Sequence, residues 1–88
     1  MRVRVRLLGS LRQPEAAKEA NYDVLQSAAV SSLIKIIISE YPKLEGVLDG
    51  VGNLVMLNGV EIDNLEGLAT ILNEGAEVVF VPVTHGGR

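Results

Sequence analysis

The stretch Glu77-Val78-Val79-Phe80-Val81-Pro82-Val83 limits the fold more than any other part of this sequence. Side chains along a strand alternate between two faces, and here both faces are apolar. A strand of that kind needs cover on both sides and belongs in the middle of a sheet. The opening Arg2-Val3-Arg4-Val5-Arg6-Leu7-Leu8 offers a neighbour for it. Its strict alternation places Val3, Val5 and Leu7 on a buried face and Arg2, Arg4, Arg6 and Leu8 on the other.

Between these two strands lies one clear helix. Over Ser27 to Tyr41, Val30, Leu33, Ile34, Ile37, Ile38 and Tyr41 recur at the spacing of a single helical face. Ser27 is the candidate N-cap, and Pro42 ends the helix, because the residue before a proline avoids the α region. Gly9-Ser10 reads as a turn, and a second strand over Ala17 to Val24 forms a hairpin with the first. Leu54 to Leu57 followed by Asn58-Gly59 is a strong hairpin signal, since a type I′ turn needs positive φ at both central residues. Val60 to Ile62 is the return strand, and short helical turns are expected within Leu44 to Leu48 and Leu65 to Leu72. One helix across a mixed sheet of four to five strands, with first and last strands parallel at its centre, buries every apolar stripe. That is the α+β, β-grasp arrangement, expected over residues 1–83 and followed by a flexible tail over 84–88.

Composition narrows the function. A chain of 88 residues supplies one modest core, and with Phe80, Tyr22 and Tyr41 its only aromatics that core must be aliphatic. A net charge of −3 and few aromatics argue against direct nucleic-acid binding. The chain has no cysteine, so disulfides and thiolate sites are out, and a reducing cytoplasm fits. No apolar run is long enough to span a membrane.

The catalytic inventory is thin. His85 is the only histidine, and no nucleophile–base pair or metal-ligand spacing accompanies it. Gly50-Val51-Gly52 lacks the strand-to-helix setting of a dinucleotide loop. The tail Thr84-His85-Gly86-Gly87-Arg88 is different. Two glycines there add chain entropy and pack nothing, but a backbone without Cβ can lie extended in a channel that excludes side chains. A frayed chain end is the plain alternative.

The run from Leu65-Glu66-Gly67-Leu68 through Asn73-Glu74-Gly75 to Val83-Thr84-His85-Gly86-Gly87 resembles the ending of the ubiquitin-like sulfur carriers and modifiers. These include the small subunit of molybdopterin synthase, the archaeal small modifiers and the ubiquitin-related modifier of tRNA thiolation. Met56-Leu57-Asn58-Gly59-Val60 is similar to their central hairpin, Val30 through Pro42 to their helix, and Val3 to Leu11 to their first strand. The resemblance implies a chain that others act upon. A ubiquitin-activating-type enzyme would supply ATP and Mg²⁺ and adenylate Gly87. The acyl group would then pass to lysines of target proteins, with the help of a conjugating enzyme, or become a thiocarboxylate for tRNA thiolation or molybdopterin synthesis. Arg88 departs from the Gly-Gly ending of active family members. It implies a precursor cut between Gly87 and Arg88 by a JAMM-type metalloprotease, which tilts the expectation towards conjugation.

Alternation also predicts a partner surface. With Val78 and Phe80 against the helix, Val79, Val81 and Val83 face away from it, beside Leu8 and close to His85. An exposed apolar patch near the tail marks a docking site, and Arg2, Arg4 and Arg6 would border it, as a plain solvated strand face or as a basic rim that steers an acidic partner. Lys18, Lys35 and Lys43 are the lysines available for chain formation.

Overall fold

A computed structural model describes residues 1–13, 19–49 and 52–83. The alternating N-terminal segment forms β1 (Arg2–Leu7), with Val3 and Val5 buried and the three arginines exposed. A 3₁₀ turn at Gly9–Leu11 follows, and the chain returns as β2 (Glu19–Asp23), antiparallel to β1. The predicted second strand began at Ala17; residues 17 and 18 lie outside the described residues. It ends one residue early because Val24 turns inward, its N–H donating to the Met1 carbonyl at 2.8 Å.

The helix α1 spans Val30–Glu40, three residues shorter at its start than the periodicity predicts. Ser27 is not its cap. That residue sits at φ +65°, outside the helix, and Ala29 holds the N-cap position without a side-chain hydrogen bond. The cap is supplied by tertiary contact instead. The Val30 N–H donates to the Thr70 carbonyl at 2.9 Å, and Ala29 bridges to Ile71. A backbone acceptor from another segment satisfies one of the orphan donors that a serine hydroxyl would otherwise take. Val30, Leu33, Ile34 and Ile37 are buried, with Ile38 and Tyr41 packed at the margin. The Tyr22 hydroxyl on β2 donates to Glu40 Oε1 at 2.6 Å and ties the edge strand to the end of α1. Burial and the adjacent Glu40 carboxylate together push the phenol pKa well above its ordinary value.

Pro42 opens a 3₁₀ turn (Pro42–Leu44), and β3 (Asn53–Leu57) follows. Asn58 (φ +50°) and Gly59 (φ +85°) make the expected turn into β4 (Val60–Glu61). Asn58 does more than turn the chain: its Oδ1 accepts the Glu77 N–H at 2.9 Å, and its own N–H donates to the Glu77 carbonyl at 2.9 Å. The return strand stops before Ile62, which was expected to continue it. Ile62 begins a 3₁₀ turn (Ile62–Asn64) that swings its side chain into the core, a better place for it than an edge strand. A further 3₁₀ turn (Gly67–Ala69) leads to β5 (Glu77–Pro82).

The sheet order is β2-β1-β5-β3-β4, with β1 and β5 parallel and the other pairs antiparallel. The doubly apolar strand is therefore central, as its composition demands. Val78 and Phe80 are fully buried between the sheet and α1, with Val5, Leu7, Val55 and Leu57 opposite them in register. Among the described residues no helix is long and apolar enough to cross a membrane.

Candidate docking face and tail root

The second face of β5 carries the candidate site. Val79 and Val81 point away from α1 and are half-buried. Their register partners on β3 are Met56 and Leu54, also half-buried, so four apolar side chains from two adjacent strands share one patch. Sequence reading missed Leu54 and Met56. The signal was present: the Asn58-Gly59 turn pairs Leu57 with Val60 and so fixes which residues of β3 face outward. On the other side of β5, Arg6 lies opposite Val79 and Arg4 opposite Glu77. The patch is thus bordered by guanidiniums, with Arg2 beyond them in a weak ion pair to Asp23 at 3.7 Å. That pair is solvent-exposed and contributes little.

Leu8 was expected to stand exposed beside Val81. It is half-buried, as Val79 and Val81 are; its backbone stays extended, and its N–H donates to the Phe80 carbonyl at 3.0 Å, carrying the parallel ladder one residue past β1. Val83 is 38% exposed and follows the last residue of β5, its N–H donating to the Gly52 carbonyl at 2.8 Å. These two bonds fix the point from which the tail departs. His85, Gly86, Gly87 and Arg88 lie outside the described residues, as do Lys18 and Pro14. Lys35 and Lys43 are both exposed.

Gly9 completes the tail root. It takes φ +54°, and a Cβ built on it would lie 2.9 Å from Pro82 Cγ. A side chain at this position therefore meets two penalties, the left-handed backbone and a clash with the ring that ends β5. We expect Gly9→Ala to cost about 2–3 kcal/mol in urea unfolding. Gly46→Ala, at φ +77° with nothing within 4 Å, carries only the backbone penalty and should cost less. Equal losses for the two variants would mean that the Pro82 contact constrains nothing.

Among the described residues no group of three or more His, Cys, Asp or Glu side chains is arranged to hold a metal ion. The chemistry this surface offers is recognition: an apolar strip on a rigid sheet, a basic border, and a fixed exit for the tail.

The mixed five-stranded sheet with one helix across it is the β-grasp arrangement, and the molecule is a ubiquitin-like protein by fold. The chain belongs to the ThiS family, whose model matches residues 5–87. It is 29% identical to small archaeal modifier protein 3 of Haloferax volcanii, with 99% of this chain and all of the relative covered. The solved structures agree. The HVO 2177 protein of Haloferax volcanii superposes with a TM-score of 0.85 at 28% identity, covering 99% of this chain and 87% of that one. Small archaeal modifier protein 1 of Methanosarcina acetivorans gives 0.81 at 26% identity, covering 98% and 96%.

Proposed function

We propose that this chain is a ubiquitin-like modifier, activated at the carboxylate of Gly87 by an adenylating enzyme in the cytoplasm. The observation that carries the reading is the family match over residues 5–87, which ends on the second glycine and leaves Arg88 outside it. The similarity to small archaeal modifier protein 3 along the full length of both chains supports it.

The chemistry follows from what a carboxylate lacks. A free carboxylate is a poor electrophile, since its leaving group would be oxide. In the proposed first step a Gly87 carboxylate oxygen attacks the α-phosphorus of ATP, and pyrophosphate leaves with Mg²⁺. The resulting acyl-adenylate has AMP as its leaving group. A target lysine amine attacks the carbonyl carbon and expels AMP to form an isopeptide bond, or a partner's cysteine thiolate first expels AMP to form a thioester and the lysine amine then displaces that thiolate. In this reading whatever follows Gly87, Arg88 included, is removed by a metalloprotease before activation. The chain supplies substrate and address; the catalytic groups belong to its partners.

A second reading ends the same acyl-adenylate differently. Attack by a hydrosulfide equivalent on the acyl carbon expels AMP and leaves a thiocarboxylate on Gly87, and the chain becomes a sulfur carrier. The family match supports this route equally, because both fates use the same glycine. Mass spectrometry of the chain isolated from its own cells separates them: sulfur replacing oxygen at the terminus marks one fate, and an amide link from Gly87 to lysine side chains of target proteins marks the other.

The docking face is the strip of Leu54, Met56, Val79 and Val81, with Leu8 and Val83 at its tail end. Val81→Asp places a carboxylate at its centre. We expect the KM for adenylation to rise tenfold or more at unchanged kcat, since apolar anchors at the middle of a contact dominate its energy. Unfolding should stay cooperative, because Val81 is only half-buried. An unchanged KM would remove this face from the contact.

A further inference from the structure

Among the described residues, Arg6, Leu7, Leu8 and Arg12 line a small hollow of about 220 Å³. Both arginines are exposed, and among the described residues neither forms an ion pair. Glu19 faces Arg6 across the β1–β2 register without bridging to it. The backbone under each guanidinium is fixed: Arg6 lies within β1, and the Arg12 N–H donates to the Gly9 carbonyl at 3.1 Å. The hollow opens beside the tail root, where Leu8 is bonded to Phe80 and Gly9 abuts Pro82, and Arg6 is the register neighbour of Val79 on the apolar strip.

Two guanidiniums over an aliphatic floor suit one kind of occupant. A guanidinium offers a planar fork of donors that matches a carboxylate, while the Leu8 side chain, on the same face of β1 as Arg6, offers only apolar contact. A nucleic-acid backbone would use the charge and waste the floor, and the net charge of −3 on the whole chain opposes a polyanion. We propose that this notch reads an Asp or Glu side chain carried on an otherwise apolar segment of the adenylating enzyme, and so sets the register in which the tail enters. The proposal rests on the functional reading above and names the chemistry of the partner at that surface.

Two measurements test it, and they separate its failure from that of the functional reading. In the first, ¹⁵N-labelled chain is titrated with a synthetic peptide alternating leucine and glutamate, and with its leucine–glutamine counterpart. Amide shifts at Leu7, Leu8 and Arg12 should appear with the glutamate peptide, and affinity should fall about tenfold in Arg6→Gln/Arg12→Gln. Equal shifts with both peptides, with a short single-stranded DNA as effective as the glutamate peptide, or with none at all, overturn the notch. In the second, adenylation of a chain ending at Gly87 is followed by pyrophosphate release. The double variant should raise KM about tenfold with kcat unchanged, and Arg6→Lys/Arg12→Lys should recover only part of the loss, because an ammonium lacks the fork. A KM unmoved by the double variant overturns the notch even if adenylation is robust. Peptide binding at the notch without any adenylation of Gly87 overturns the functional reading and leaves the notch standing.

Discussion

A chain ending at Gly87, mixed with its adenylating enzyme, ATP and Mg²⁺, should release pyrophosphate and gain the mass of AMP, while the chain that keeps Arg88 should do so at least a thousandfold more slowly. The size of the effect comes from geometry. Retaining Arg88 moves the carboxylate onward by about 3.5 Å, the reach of one extended residue. Reacting atoms must lie about 3–3.5 Å apart and aligned, and a misplacement of about 1 Å already costs about a hundredfold. The arginine also brings a long side chain where the two glycines present none. Gly86→Val in the shortened chain tests this second term separately. It leaves the carboxylate at the right distance, and a loss of activity then reports a channel too narrow for a branched side chain. Equal adenylation of the Gly87-ended and Arg88-ended chains would sink both the processing step and the choice of Gly87 as the acyl donor.

Gly86 and Gly87 lie outside the described residues, and the sequence alone points to them. Elements whose pattern is enforced by burial were legible: the alternating β1, the doubly apolar β5 at the sheet centre, and the single helical stripe of α1. Asn58-Gly59 was legible because positive φ at two successive residues has few solutions. What misled was local chemistry answered from far away. Ser27 has the side chain of an N-cap, but Thr70 holds the first helical amide through its carbonyl, and no window around residue 27 contains that fact. Ile62 looked like strand and became a turn, because the core needed its side chain more than the edge did.

The candidate site was half legible for the same reason. Val79 and Val81 follow from alternation within one strand. Leu54 and Met56 need the register between two strands, which the hairpin turn encodes only if one counts back from it. The Arg6–Arg12 notch needs the turn after β1: Gly9-Ser10 announced a turn, but not that it would set Gly9 against Pro82 and bring Arg12 back beside Arg6.

The largest stability effect is expected at Phe80, and it bears on function through the strand it anchors. Phe80 is the chain's only phenylalanine and is fully buried at the middle of the central strand, opposite Leu7 on one side and Val55 on the other. With no other phenylalanine or tryptophan in the core, the surrounding valines and leucines have no large neighbour that could collapse into the space. Phe80→Ala should therefore fall in the range of about 3–5 kcal/mol for large-to-small core changes. A domain of this size has only about 5–13 kcal/mol of stability in total, so the midpoint of urea unfolding should drop by several molar or the chain should populate its unfolded state without denaturant. Val79 and Val81 flank Phe80 on the same strand, so adenylation should fall with the folded fraction, and a saturating osmolyte that restores folding should restore it. Val81→Asp should behave in the opposite way, folded and still impaired. If Phe80→Ala instead unfolded within about 1 kcal/mol of the parent chain, the sheet centre would not be the keystone of this fold, and the strand that presents the docking face would have to be held by something else.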